Sequence, residues 1–129
     1  MSDIEEIEAL TARWADAYAN VRIEEAAGCF AGDGIYMVPG KPPVVGHDAI
    51  VELHRFWLRH GGPKFSTGHV GAGGDDRFGW HAITWEGIYP TGEPGKTVVV
   101  TGKLMHAFTK AAWGGWQIQA GILNVDPPT

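Results

Sequence analysis

Two periods divide the chain. Over the first sixty residues apolar positions recur at three- and four-residue intervals, and beyond Lys64 they alternate singly with small or polar residues, so helices are expected first and strands afterwards. Ser2 followed three residues later by Glu5 forms a capping-box signature, and Ile4, Ile7, Leu10, Trp14, Tyr18 and Val21 then trace one apolar stripe along a first helix. A second helix is predicted over Ile23 to Phe30, with Ile23, Ala26, Ala27 and Phe30 on one side and the turn residues Gly32-Asp33-Gly34 ending it. A short strand, Ile35 to Val38, and a proline-rich loop, Pro39 to Pro43, lead to Gly46-His47-Asp48. These open a third helix, where Asp48 complements the positive end of the helix dipole. Its stripe is Ile50, Leu53, His54 and Trp57, and Gly61-Gly62-Pro63 closes it.

Four strands follow, at about 64–73, 78–89, 96–110 and 113–125. Their connections, Asp75-Asp76, Gly92 to Gly95 and Ala111 to Gly115, are short enough for antiparallel neighbours. Helices followed by an antiparallel sheet give an α+β domain with the helices on one face of a curved sheet. Residues 1–129 form one domain, without repeat, low-complexity tract or linker.

Composition narrows the classes of function. Apolar residues make up 44% and charged residues 19% of the chain, which excludes disorder, and no apolar run reaches the roughly 18 residues of a membrane span. The first residues are acidic and helical in pattern, unlike a signal peptide, so a cytoplasmic location is expected. A net charge of -5 without a cluster of lysine or arginine argues against nucleic-acid partners. Cys29 stands alone and is expected to be a small buried filler. Six tryptophans and nineteen glycines are the unusual numbers. The first suggests broad apolar walls and the second a sharply bent sheet, which together enclose a cavity for a small hydrophobic molecule.

The segments Trp14-Ala15-Asp16-Ala17-Tyr18, Phe30-Ala31-Gly32-Asp33-Gly34, Gly46-His47-Asp48-Ala49-Ile50, Gly102-Lys103 and Trp116-Gln117-Ile118, in this order of elements, resemble the SnoaL-like branch of the nuclear-transport-factor-2-like superfamily. The resemblance covers nearly the whole chain. It implies a cone-shaped α+β barrel, with the N-terminal helices packed on the concave face of a mainly antiparallel sheet and a pocket between them. It also implies a homodimer through the outer sheet face, and a range of roles from cofactor-free isomerases, dehydratases and cyclases to proteins without enzymatic activity.

Laid on the ketosteroid isomerase relatives, the positions of their tyrosine, aspartate base and later acid fall on Trp14, Val38 and near His106. Scytalone dehydratase relatives match at Tyr18 and His69, whereas their second histidine and an aspartate fall on Gly87 and Ala19. The resemblance thus implies His69 as acid or base, Tyr18 as hydrogen-bond donor and His106 as partner. Asn124 and Asp126 stand at the family's polar ending, and Gly121 occupies a place often held by aspartate.

Strand parity puts Val98, Val100, Gly102, Leu104, His106 and Phe108 on one face, and Phe65, Thr67 and His69 on another common face. The two imidazoles are therefore expected to meet in one cavity, with His54 on its helix side. Trp14, Tyr18, Tyr36, Phe56, Trp57, Phe65, Trp85, Leu104 and Phe108 are the candidate walls, with Asn124 as a polar ligand contact. His54, His69 and His106 lack the local spacing of a metal motif, so neither metal nor cofactor is expected. The competing reading is a non-catalytic ligand-binding or homodimerisation module.

Overall fold

The computed structural model describes residues 1–128. Among them, α1 (Asp3–Ala19), α2 (Ile23–Gly28) and α3 (His47–Trp57) accompany β1 (Phe30–Met37), β2 (Val44–Val45), β3 (Lys64–Gly74), β4 (Phe78–Pro90), β5 (Thr97–Lys110) and β6 (Trp116–Val125). No helix among them is long and apolar enough to cross a membrane.

α1 begins as its capping box requires. The Ser2 hydroxyl accepts from the Glu5 N–H and the Glu5 carboxylate accepts from the Ser2 N–H, each at 3.1 Å. Its buried face is Ile7, Thr11, Trp14, Ala17 and Tyr18. Val21, the last residue of the expected stripe, lies beyond the helix with φ of 59°. The Val21 N–H bonds the Tyr18 carbonyl and the Arg22 N–H bonds that of Ala17, so orphan carbonyls at the helix end hold this β-branched residue in the left-handed region.

The second helix stops at Gly28 instead of running to Phe30. The Ile118 N–H already bonds the Cys29 carbonyl at 2.9 Å, and Phe30 pairs with Ile118. Pairing with β6 therefore overrides the local helical pattern. Gly32-Asp33-Gly34 becomes an irregularity within β1, where the register with β6 shifts between Phe30 and Ile35.

The six strands form one sheet in the order β2-β1-β6-β5-β4-β3. β1 and β6 run parallel, every other pair is antiparallel, and the edges β2 and β3 do not meet. The fold is thus α+β with an unclosed sheet, its helices on the concave side. β6, last in chain order, sits between β1 and β5.

Leu104, His106 and Phe108 of β5 are buried beneath the helices, as parity requires. Gly102 is needed for close approach: a Cβ there would lie 2.0 Å from the Asn124 carbonyl oxygen and 2.7 Å from the Trp85 ring. On the convex side Met37, Ile122 and Met105 line up across β1, β6 and β5 and are exposed, as are Ile35 and Trp80 in the adjoining rows.

Candidate functional site

A cavity of about 440 Å³ opens between α1, the end of α3 and the concave face of β4 to β6. Helices and β3 supply Trp14, Tyr18, Trp57 and Phe65; the sheet supplies Trp85, Tyr89, Val98, Val100 and Leu104. Leu123 and Val125 of β6 extend the apolar floor, and Pro39, Arg59, His60, Pro90 and Thr91 form the remainder of the lining. Among the described residues no aspartate or glutamate belongs to it.

The aromatic walls brace one another. Trp14 and Tyr18, one turn apart on α1, stack at 5.4 Å between ring centroids, as their i,i+4 spacing allows. Phe65 meets Tyr18 edge-on at 5.1 Å and stacks with Trp85 at 6.0 Å.

Inside this apolar enclosure the Tyr18 and Tyr89 hydroxyls lie 2.6 Å apart. Burial is the first cause raising the pKa of each, with the neighbouring Tyr89 adding to the rise at Tyr18. Both phenols are therefore protonated across the physiological range. One proton joins the two oxygens, and the second is left to be donated to a third atom. Gly87 makes room for this arrangement: a Cβ there would lie 2.4 Å from the Tyr89 ring.

His54 stands behind the wall. Its Nδ1–H donates to the Ile50 carbonyl at 2.7 Å, and its Nε2 accepts from the Trp14 indole N–H at 3.1 Å. Both ring nitrogens are thus satisfied in the neutral form, and burial pushes the pKa down to about 4, against the opposing Ile50 carbonyl. His54 orients Trp14 and does not line the cavity.

His106 is also buried in the core, among the rings of Trp14, Phe30, Tyr36 and Phe108. Among the described residues its Nε2 has no hydrogen-bond partner. Burial first, then His81 and His54, push its pKa down to about 3.

The expectation that His69 and His106 share the cavity is corrected by the structure. His81 stands between them: it pairs with His106 in the β4–β5 register, and its Nε2 lies 3.0 Å from Nδ1 of His69. His81 Nδ1 lies 2.9 Å from the Thr11 hydroxyl. His69 pairs with the buried Ile83, so parity assigned its face correctly, but it is exposed on the edge strand and outside the cavity lining.

Of the other candidates, Trp14, Trp57, Phe65, Trp85 and Leu104 line the cavity with Tyr18. Tyr36 and Phe108 are core residues outside the lining, and the Tyr36 hydroxyl has no partner. Phe56 is exposed, with Lys41 Nζ 4.7 Å and the Arg59 guanidinium 4.2 Å from its ring centre. Asn124 is exposed between the cavity residues Leu123 and Val125, and its side-chain oxygen accepts from the Lys103 N–H at 2.8 Å. Cys29 is buried and unbridged, and burial raises its thiol to about 11.

Sequence reasoning passed over Tyr89, Arg59, Leu123 and Val125. Tyr89 shares the face of Trp85 and Gly87, so the alternation that identified Trp85 also reaches it. Arg59 and His60 follow the last turn of α3, where periodicity gives no orientation.

A family model described as a SnoaL-like domain matches residues 1–120. Comparison with curated proteins finds no match. Among solved structures, a ketosteroid isomerase-like protein from Erwinia carotovora atroseptica superposes with a TM-score of 0.89 at 19% identity, covering 98% of each chain. An NTF2-like protein with a cystatin-like fold from Novosphingobium aromaticivorans gives 0.81 at 20% identity, over 98% of this chain and 84% of that one. A protein from Catenulispora acidiphila, solved in complex with S-DNPA, gives 0.75 at 17% identity, over 95% and 92% of the two chains.

Proposed function

The chain belongs to the SnoaL-like domain family, and from that premise and the geometry of its cavity we propose that it binds a small hydrophobic, oxygenated molecule, with the Tyr18–Tyr89 pair as polar anchor. The observation that carries this reading is the 2.6 Å contact between two protonated phenols inside aromatic walls. A ligand carbonyl or hydroxyl oxygen can accept the remaining O–H, while the apolar body replaces water against Trp14, Trp57, Phe65 and Trp85. The complex of the Catenulispora protein with S-DNPA supports small-molecule binding by this fold.

The alternative, a cofactor-free isomerase, dehydratase or cyclase using Tyr18, His69 and His106, draws support from the ketosteroid isomerase-like neighbour and from the place of Tyr18 in the wall. Binding is favoured because His54 and His106 are held neutral outside the lining, and His69 is outside it as well. The homodimer and a cytoplasmic location belong to the same proposal. The second copy is assigned to the convex face, where Met37, Ile122 and Met105 present a continuous apolar row.

Isothermal titration with 2-naphthol and 1-tetralone tests the anchor. The Tyr18→Phe, Tyr89→Phe double variant is expected to weaken binding about two- to tenfold, the value of one neutral hydrogen bond, with the melting temperature little changed. Absence of binding heat for both compounds, or equal affinity in both proteins, refutes the anchor. Deuterium exchange beside the 1-tetralone carbonyl that is lost in Tyr18→Phe and His69→Ala would favour catalysis instead.

A further inference from the structure

We propose that the ligand is a monocarboxylic acid, its apolar ring system in the cavity and its carboxylate held at the mouth by Arg59, with Lys41 beside it. This rests on the binding reading above and adds the charge of the ligand to it.

Three observations carry the inference. Arg59 belongs to the cavity lining, and no aspartate or glutamate does. An acid entering the cavity therefore meets a cation, with no competing or repelling aspartate or glutamate among the described lining residues. Second, Arg59 and Lys41 converge on one ring, at 4.2 and 4.7 Å from the centre of Phe56. The two cations therefore lie no more than about 9 Å apart, and the face of an exposed phenylalanine meets only part of their charge. The chain has an acidic surplus of -5, and Arg13, Arg22, Arg55, Lys96, Lys103 and Lys110 all find a carboxylate. Among the described residues Arg59, Lys41, Lys64 and Arg77 have no such partner, and of these four only Arg59 belongs to the cavity lining.

Third, the Arg59 guanidinium is held in place. Its Nη1 donates to the Phe56 carbonyl at 2.8 Å, at the end of α3 where unpaired carbonyls favour a cation. That is the one hydrogen bond it makes among the described residues, so donors of its planar fork are left for a carboxylate. The aromatic walls meanwhile ask for an apolar body, and a volume of about 440 Å³ lies within the range of small-molecule sites. A neutral molecule would leave the cationic mouth without a counterpart, and a small inorganic anion would leave the walls unfilled.

The experiment uses a matched pair, 2-naphthylacetate and 2-naphthylacetamide, titrated calorimetrically into the full-length protein and into Arg59→Gln, Lys41→Gln and Arg59→Lys variants, each checked for an unchanged melting temperature. The acid is expected to bind the unmodified protein about tenfold more tightly than the amide, and to lose affinity as salt is raised from 20 to 200 mM while the amide does not. Arg59→Gln is expected to erase that preference by weakening acid binding alone, Lys41→Gln to reduce it, and Arg59→Lys to keep part of it. If the amide binds as well as the acid, or the preference survives in Arg59→Gln, the carboxylate assignment is overturned and the binding cavity stands. Failure of both compounds to bind the unmodified protein overturns the assignment together with the binding reading.

Discussion

Acid should destabilise this protein through two histidines before its surface carboxylates titrate. His54 and His106 have folded pKa values of about 4 and about 3, against an ordinary value of 6.5, chiefly because burial disfavours the imidazolium. The unfolded chain takes up both protons as pH falls through 6.5, whereas the folded chain refuses them until about pH 4 and pH 3. The depressed pKa values therefore carry no protonation-linked cost above pH 6.5 and become destabilising below it. At pH 5 each histidine costs about 2 kcal/mol, so the pair lowers stability by about 4 kcal/mol. Desolvation of His81 adds in the same direction.

Replacing one of the two isolates its share. His106→Leu removes a buried Nε2 that has no partner, a gain of about 1 to 3 kcal/mol, and repacks the site at a cost of up to about 1.5 kcal/mol. Stability at pH 7 is expected to stay near that of the unmodified protein or rise slightly. At pH 5 the variant should be more stable by about 2 kcal/mol beyond any difference at pH 7. Urea unfolding followed by tryptophan fluorescence at both pH values, at fixed ionic strength, reads the two differences. An identical loss of stability between pH 7 and pH 5 in both proteins would refute the assignment of a depressed pKa to His106.

Two further outcomes are expected. Gly87→Ala drives a Cβ against the Tyr89 ring, so it should separate the Tyr18 and Tyr89 hydroxyls and reproduce, in 2-naphthol titrations, the weakened binding of the double phenylalanine variant; unchanged affinity would show that the ring finds room elsewhere. Met105→Lys places a charge in the exposed Met37–Ile122–Met105 row, and sedimentation velocity at micromolar concentration should show the expected dimer become monomer; a monomer already in the unmodified protein removes the homodimer.

Periodicity reports which face a residue occupies and says little about how far along that face it lies. Alternation located β3, β4 and β5 within a residue or two at each end, because long strands with one buried face repeat the signal many times. It missed β2, whose two residues offer no period. It also extended α2 to Phe30, since that residue is buried whether it ends a helix or begins a strand, and pairing with Ile118 decides between them.

The site divides in the same way. Trp14, Tyr18, Trp57, Phe65, Trp85 and Leu104 were legible because the cavity lies at the level of their turns and strand positions. His106 and Phe108, on the same face as Leu104, lie beyond the cavity in solid core. His69 was assigned the right face, but as part of an edge strand its position depends on His81 and Thr11, which are distant in sequence. Arg59 joins the cavity lining through tertiary placement of the end of α3, which no local pattern encodes.

The location of β6 has a consequence for how the molecule comes into being. While the polypeptide is being synthesised, β1 and β2 can pair, and β3, β4 and β5 can pair as a meander, but the two pieces share no backbone ladder until β6 enters between them. Two inner strand edges, along β1 and β5, stay open until then and are the positions most vulnerable to association with other chains. The cavity floor contributed by Leu123 and Val125 is completed in the same late step. Assembly of the sheet and completion of the cavity are thus one event, triggered by the arrival of β6.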